Sequence, residues 1–293
     1  RPCMPHFRDA EIAPSRDDET RTVFLGDGAA QRIITPKEER WLYYGCLIQG
    51  MKSIMHWGYW SQFTDGFYYI KGPSMRIGLG SLDGDKAYKW DELDADGHPV
   101  EYTVEAKLAG MLRDTWDEIG RLNWEMRTVG EAIAQSDVSG WAKVTKVNPA
   151  LGRDNLPAAE AVALLHGVDT IVIPVVNHNI DLGKAGEVSF LSNPNSPVSY
   201  EPVEATVELV LPPWLRNPKH VFRVSHDRLE RLDIRPAGGK LVFELPRLEV
   251  SDLFVVTSSD AVLRDAEEAH ATFSARIRAF EAKTAAFKEK VGL

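Results

Sequence analysis

The stretch TPKEERWLYYGCLIQGMKSIMHWGYW, residues 35–60, decides how the rest of this chain is interpreted. Thr35 can cap a helix with its hydroxyl, Pro36 suits the first helical position, and Glu38 can complete a capping box. Apolar residues then recur at helical spacing, and Gly50 can end the helix in the left-handed conformation. The sequence therefore predicts a helix that begins at Pro36 and stops at Gly50.

Residues 53–60 are predicted to form a short, largely apolar strand ending in a ring-rich cluster of His56, Trp57, Tyr59 and Trp60. Ligands of α/β proteins bind at the carboxyl ends of strands, so the cluster is a candidate platform for a flat, hydroxylated ligand. Aromatic residues of strands also pack into cores, and both interpretations remain open. Trp57 and Trp60 are three residues apart, so their side chains lie on opposite faces of a regular strand. At most one of them therefore faces a site.

Composition limits the function classes. A length of 293 residues allows two domains, and the net charge of −9, without a dense basic cluster, argues against nucleic acid as a partner. Cys3 and Cys46 are too few for a disulfide framework. No apolar run is long enough to span a membrane, and no signal peptide is visible. Because the chain opens on Arg1, we expect its natural amino terminus to lie elsewhere.

Two long polar segments flank the predicted helix. RPCMPHF, residues 1–7, can form a strand only at an edge or in a barrel, and a polar connection follows it to residue 34. Asp9 and Glu11 open that connection and are candidate catalytic carboxylates, with solvated surface residues as the alternative. Residues 61–99 are predicted to be a second loop that contains Asp65. Its DGD, residues 83–85, lacks the ligand pattern of a calcium loop, so we predict a turn and no metal site.

The rest of the chain predicts a long helix, a β domain and a terminal helix. Apolar residues three or four apart predict a helix from Val104 to Ile133, with glycines that can bend it. Short β-rich runs then predict an antiparallel β-sandwich, with a hairpin at residues 237–240. Those runs are residues 141–147, 161–165, 170–176, 203–211, 220–225, 229–234, 241–245 and 253–257. An amphipathic helix ends the chain and needs a partner surface. The predicted divisions are residues 1–135, 136–262 and 263–293.

This order of parts resembles the last two β/α units and the carboxyl-terminal domain of retaining β/α-barrel glycoside hydrolases, especially β-galactosidases and agarases. Residues 35–60, the helix WDEIGRLNWEM at residues 116–126 and the sandwich carry the resemblance, which spans residues 1–260. The resemblance implies an α/β part followed by an all-β domain. In the α/β part, residues 1–7 and 53–60 would be strands seven and eight of an incomplete (β/α)8 barrel. It also favours a secreted or periplasmic location.

The resemblance further implies the residue roles. Glu11, or else Asp9, would be the nucleophile, and Trp57, or else Trp60, the aromatic floor beneath a sugar. The other candidate substrate-binding residues are His6, His56, Tyr59 and Asp65. Double displacement needs two carboxylates about 5 Å apart, with no cofactor. The family's acid/base glutamate follows an asparagine on strand four, which this chain lacks. We therefore expect the remaining strands to come from the amino-terminal part of the same enzyme or from another chain.

Two other classes of function are compatible with the sequence. A non-catalytic carbohydrate-binding or assembly protein would use the sandwich, through Trp141, Trp214, Tyr200 or the Asn-His-Asn run at residues 177–179. That run is also ordinary turn chemistry at a strand end. Alternatively, the terminal helix would make the chain a homo-oligomerisation module. The first interpretation predicts a carbohydrate substrate, with neither nucleic acid nor membrane as a partner.

Overall fold

The computed structural model of this chain describes residues 15–17, 19–24, 35–53, 62–64, 74–76, 86–152, 157–181 and 199–293. Its first part contains a mixed sheet with the strand order β1-β2-β6-β5-β3-β4. These strands are β1 (Ser15–Asp17), β2 (Thr22–Phe24), β3 (Gln62–Thr64), β4 (Ser74–Arg76), β5 (Lys86–Leu93) and β6 (Pro99–Val104). The sheet is open, and the described strands form no closed barrel.

The first helix, α1 (Pro36–Ile48), confirms the prediction from the opening stretch. The Thr35 hydroxyl accepts a hydrogen bond from the Glu38 amide at 3.3 Å, and the Glu38 carboxylate accepts one from the Thr35 amide at 2.9 Å. Gly50 follows the helix with a φ of +81°. A Cβ at Gly50 would lie 2.7 Å from Val138 Cγ2, so both conformation and space require glycine there.

The predicted loop over residues 61–99 is wrong where the structure describes it, because strands occupy much of that segment. β5 and β6 pair as antiparallel neighbours, and the Asp94 carboxylate accepts hydrogen bonds from the amides of Asp96 and His98 in the turn between them. The polar connection before residue 35 likewise contains β1 and β2. The three-residue strands β1 to β4 carry too little alternation to be seen in sequence, and β2 also pairs with the distant β6.

The long helix begins later than predicted and breaks where a glycine allows it. Val104 ends β6, whose alternating burial marks it as a strand, and α2 (Ala106–Thr128) begins just after it. A short helix, α3 (Gly130–Ala134), continues beyond Val129 in a new direction. Gly130 therefore stands at one of the predicted bends.

The predicted antiparallel β architecture is confirmed, and each predicted strand overlaps an observed one. One sheet of seven strands has the order β16-β15-β18-β11-β10-β7, with β9 also paired to β11, and a second has the order β17-β14-β8. The strands are β7 (Asp137–Ser139), β8 (Ala142–Asn148), β9 (Ala159–Ala161), β10 (Ala163–His166), β11 (Thr170–Asn177), β12 (Ile180–Asp181), β13 (Ser199–Tyr200), β14 (Val203–Val210), β15 (His220–Val224), β16 (Leu229–Arg231), β17 (Lys240–Leu248) and β18 (Ser251–Thr257). β12 and β13 pair with each other.

The turn at residues 237–240 is confirmed, but the hairpin is not. Gly238 and Gly239 both have positive φ, and Ala237 pairs with Lys240 across the turn. However, β16 before the turn pairs with β15, and β17 after it pairs with β14. The turn therefore carries the chain from one sheet to the other.

Three layers result from this arrangement, because the seven-stranded sheet is covered on both faces. Ile171 and Ile173 of β11 face the smaller sheet and pack with Val207 and Phe243. Alternate residues of β11, such as Val172, face the opposite side and pack with the helices. β11 is consequently buried along its whole length.

The terminal helix, α4 (Asp260–Val291), packs along α2 within the same chain. Phe273 stacks on Trp124 with ring centroids 4.2 Å apart, and Phe287 lies under the guanidinium of Arg113. The predicted apolar stripe thus has an intramolecular partner. Assembly between copies through α4 remains a prediction.

Candidate functional site

The largest group of buried charged side chains lies where α1 and α2 meet the seven-stranded sheet. Arg40 on α1 is at its centre and donates from Nε to Glu118 at 2.6 Å. Its two terminal nitrogens donate to both oxygens of Glu125, at 2.9 and 3.0 Å. Glu118 and Glu125 are seven residues apart on α2 and therefore face the same way. We call these residues, with Tyr44 and His226, the Arg40 cluster.

Glu125 is the most constrained member of the Arg40 cluster. It is 1% exposed, and it also accepts hydrogen bonds from the Tyr44 hydroxyl at 3.1 Å and from the His226 backbone amide at 3.0 Å. Burial raises the pKa of this carboxyl, but the charge of Arg40 and the contacts with His226 outweigh burial and hold the pKa at about 2. Glu125 is therefore a fixed anion at neutral pH.

Two neighbouring carboxyl groups behave in the opposite way. Burial raises the pKa of Asp252 to about 6, although the Arg223 guanidinium contacts both of its oxygens and lowers it. Burial, followed by the charge of Glu118, raises the pKa of Glu39 to about 7. Groups that titrate near neutrality can exchange protons, and they are concentrated at active sites but also in structural ion-pair networks.

A cleft of about 300 Å³ borders this group of residues, between the start of α1 and the strands β15 and β18. Arg40 and Arg223 line it, but each is already paired with carboxylates. Neither guanidinium group is therefore free to bind an anion, and the direct effect of these ion pairs is to hold α1 and α2 against the sheet. Truncating one partner of such a buried pair is costly, because it leaves the other charge uncompensated.

The Asn-His-Asn run at the end of β11 also serves the fold. The fully buried Asn177 amide contacts the carbonyl oxygens of Glu201, Leu248 and Glu249 at 2.8, 3.1 and 2.7 Å. His178 accepts a hydrogen bond from the Trp41 indole at 3.2 Å, which joins α1 to the sheet. Turn chemistry, rather than an open sugar contact, is therefore the role of Asn177.

The predicted site residues lie outside the described residues. This holds for the candidate catalytic residues Asp9 and Glu11 and for the candidate substrate-binding residues His6, His56, Trp57, Tyr59, Trp60 and Asp65. The predicted barrel strand at residues 1–7 and the DGD turn lie there as well, as does the predicted strand at 53–60 apart from Ser53. The sequence did not predict the Arg40 cluster. Its one local signal was the position of Arg40, directly before the aromatic residues Trp41, Tyr43 and Tyr44 of α1.

The described residues give no indication of a metal site or of a membrane span. Across the described ranges, no three His, Cys, Asp or Glu side chains are close enough together to hold a metal ion. Within the same ranges, no helix combines the length and apolar character of a membrane span.

Comparisons with known proteins give a structural similarity. No protein-family model matches the sequence, and a search of curated proteins finds no match. Among solved structures, α-L-fucosidase isoenzyme 2 from Paenibacillus thiaminolyticus is similar, with 16% sequence identity and a TM-score of 0.29. The alignment covers 56% of this chain and 22% of the fucosidase chain. At this TM-score the similarity carries no argument about function.

Proposed function

We propose that this chain is the carboxyl-terminal portion of a glycoside hydrolase that cleaves a β-linked galactoside or a related polysaccharide by double displacement. The observation that supports the proposal is the order of the elements. The capped helix α1, the tryptophan-bearing helix α2 and antiparallel sheets follow one another in the order that the resemblance requires. The rest of the catalytic barrel comes from an amino-terminal part of the same enzyme or from a second chain.

In this proposal Glu11, or else Asp9, attacks the anomeric carbon, and a carboxylic acid outside this chain protonates the leaving oxygen. Water then releases the sugar from the covalent intermediate, and the acid group acts as base in that second step. Trp57, or else Trp60, stacks beneath the sugar ring. No cofactor takes part in these steps.

The test compares Glu11→Gln and Asp9→Asn in the complete protein, with an aryl β-galactoside as substrate. We expect the substitution of the nucleophile to lower kcat by roughly 10³-fold or more and to leave sugar binding intact. Glu131→Gln is the matched control, because Glu131 lies exposed on α3 and has no proposed role in the reaction. Unchanged turnover in both variants would remove both carboxylates from the reaction.

The alternative, a non-catalytic carbohydrate-binding or assembly protein, is favoured by a different observation. Trp214, in a short turn after β14, has 41% of its surface exposed, as in sites where sugars stack on an open indole. Tyr200, by contrast, is buried. If the complete protein binds oligosaccharides without turnover, and Trp214→Ala abolishes the binding, the alternative replaces the first proposal.

A further inference from the structure

A second cavity lies on the helical side of the molecule, apart from the Arg40 cluster. It has a volume of about 500 Å³ and lies among α1, α2 and α4. Rings and apolar side chains form most of its wall, including Tyr43, Trp116, Trp124, Met126, Ile277 and Phe280. Pockets of this size with an apolar wall and a few polar groups are typical of sites for small molecules. We call it the helical cavity.

Trp124 is held in a fixed orientation at this cavity. Its indole stacks on Phe273, with an angle of 20° between the rings. The guanidinium of Arg127 lies 5.5 Å from the Trp124 ring centroid, and that of Arg276 lies 5.7 Å from it. An oriented indole with two adjacent cations combines an apolar stacking surface with positive charge.

The positive charge at this position is not neutralised by the described part of the protein. Arg121, three residues before Trp124 on α2, pairs with Glu281 at 2.6 Å and with Glu118 at 3.1 Å. Among the described residues, no such ion pair is made by Arg127 or Arg276. Both guanidinium groups are exposed, and guanidinium groups without a carboxylate partner are complementary to an anion.

Asn123 adds a hydrogen-bond donor to the cavity wall. The Asn123 amide oxygen accepts from the Tyr43 hydroxyl at 3.1 Å, so its NH₂ group is left to donate. Asn123 and Arg127 are four residues apart on α2 and therefore share a face. The carboxylates in the wall are engaged, Asp117 with Thr284 and Glu281 with Arg121.

We propose that the helical cavity binds an acidic sugar, with the sugar ring against the Trp124 indole and its carboxylate or sulfate at Arg127. A sugar ring presents C–H groups to an indole, hydroxyls that accept from Asn123, and an anionic substituent for guanidinium. The choice of a sugar over another anionic ring compound rests on the proposed function. The cavity then supplies a binding site for charged units of the polysaccharide.

The test is calorimetric titration of the complete protein with D-galacturonate, with neutral D-galactose and with 4-hydroxybenzoate, an anionic ring that is not a sugar. We expect saturable binding of galacturonate and binding of galactose at least about tenfold weaker, since a charged hydrogen bond is lost. Arg127→Gln should weaken galacturonate binding about tenfold or more. The matched control is Arg278→Gln, an exposed arginine on α4 that does not line the cavity, and it should leave the affinity unchanged.

Two outcomes would overturn the proposal. One is the absence of saturable galacturonate binding up to about 10 mM, or binding that Arg127→Gln leaves unchanged. The other is binding of 4-hydroxybenzoate without galacturonate, which would exclude a sugar. The titrations are repeated in the Glu11→Gln protein. Because that substitution removes the proposed nucleophile and changes none of the described residues that line this cavity, failure of the binding site and failure of the catalytic proposal give different results.

Discussion

Replacing Glu125 by glutamine is expected to lower the free energy of unfolding by about 3 kcal/mol at pH 7. Glutamine keeps the size of the side chain but removes the charge that Arg40 contacts in the Arg40 cluster. Burial raises the pKa of Glu125, and the surrounding contacts lower it from 4.5 to about 2 in the folded chain. The difference of about 2.5 corresponds to about 3 kcal/mol, at about 1.36 kcal/mol for each pH unit.

The pH dependence of this contribution has a definite sign. Because the folded pKa lies below the unfolded value of 4.5, ionised Glu125 stabilises the fold fully above pH 4.5. The stabilisation is lost as the pH falls towards about 2. At pH 3 about 1 kcal/mol remains, so the stability difference between the natural protein and the glutamine variant should shrink by more than half.

Urea unfolding followed by tryptophan fluorescence, at pH 7 and pH 3, measures both numbers. Glu268→Gln is the control, because this exposed glutamate on α4 should change stability by less than about 0.5 kcal/mol. A loss below about 1 kcal/mol at pH 7 for Glu125→Gln would refute the reasoning. Equal losses at the two pH values would refute it as well.

Two further predictions concern the fold. Asn177→Ala should destabilise the protein by about 3 kcal/mol in urea unfolding, because it leaves three carbonyl oxygens without a side-chain donor. The control is Asn217→Ala, at an exposed position, which should have little effect on stability. Equal effects of the two substitutions would contradict this role of Asn177. Gly50→Ala should lower the free energy of unfolding by about 1–2 kcal/mol, because alanine is strained at a φ of +81° and its Cβ meets Val138. The control Gly45→Ala, inside α1 with free space around it, should not destabilise the protein. An unchanged stability of Gly50→Ala would show that the chain relaxes at this position.

Features whose determinants are close together in sequence could be predicted. Thr35, Pro36, Glu38 and Gly50 fixed the start and the end of α1, and alternating apolar residues indicated the strands of the two antiparallel sheets. The turn at residues 94–98 between β5 and β6 had local signals too, since Asp and Gly are typical of turns, but the segment up to Pro99 was predicted to be a loop and Val104 the start of the long helix.

Features that depend on distant partners could not be predicted. Arg40 meets Glu118 and Glu125 across 78 and 85 positions, and Glu125 meets His226 across 101. No periodicity in the sequence encodes such pairs. Similarly, the apolar stripe of α4 indicated a need for a partner surface, but only the structure identifies α2 as one. The proposed catalytic roles of Glu11 and Asp9 remain predictions.

The covering of the seven-stranded sheet on both faces has a consequence for the order in which the molecule can form. The helices occur early in the sequence, yet Tyr44 and Leu122 bury their side chains against Leu253 and Val255 of β18. During synthesis, α1 and α2 leave the ribosome well before β18 exists, so their apolar faces stay open until the final strand arrives. Such non-local closure slows folding and extends the time in which exposed surfaces can aggregate. Expression at low temperature or with chaperones should therefore raise the soluble yield of this chain.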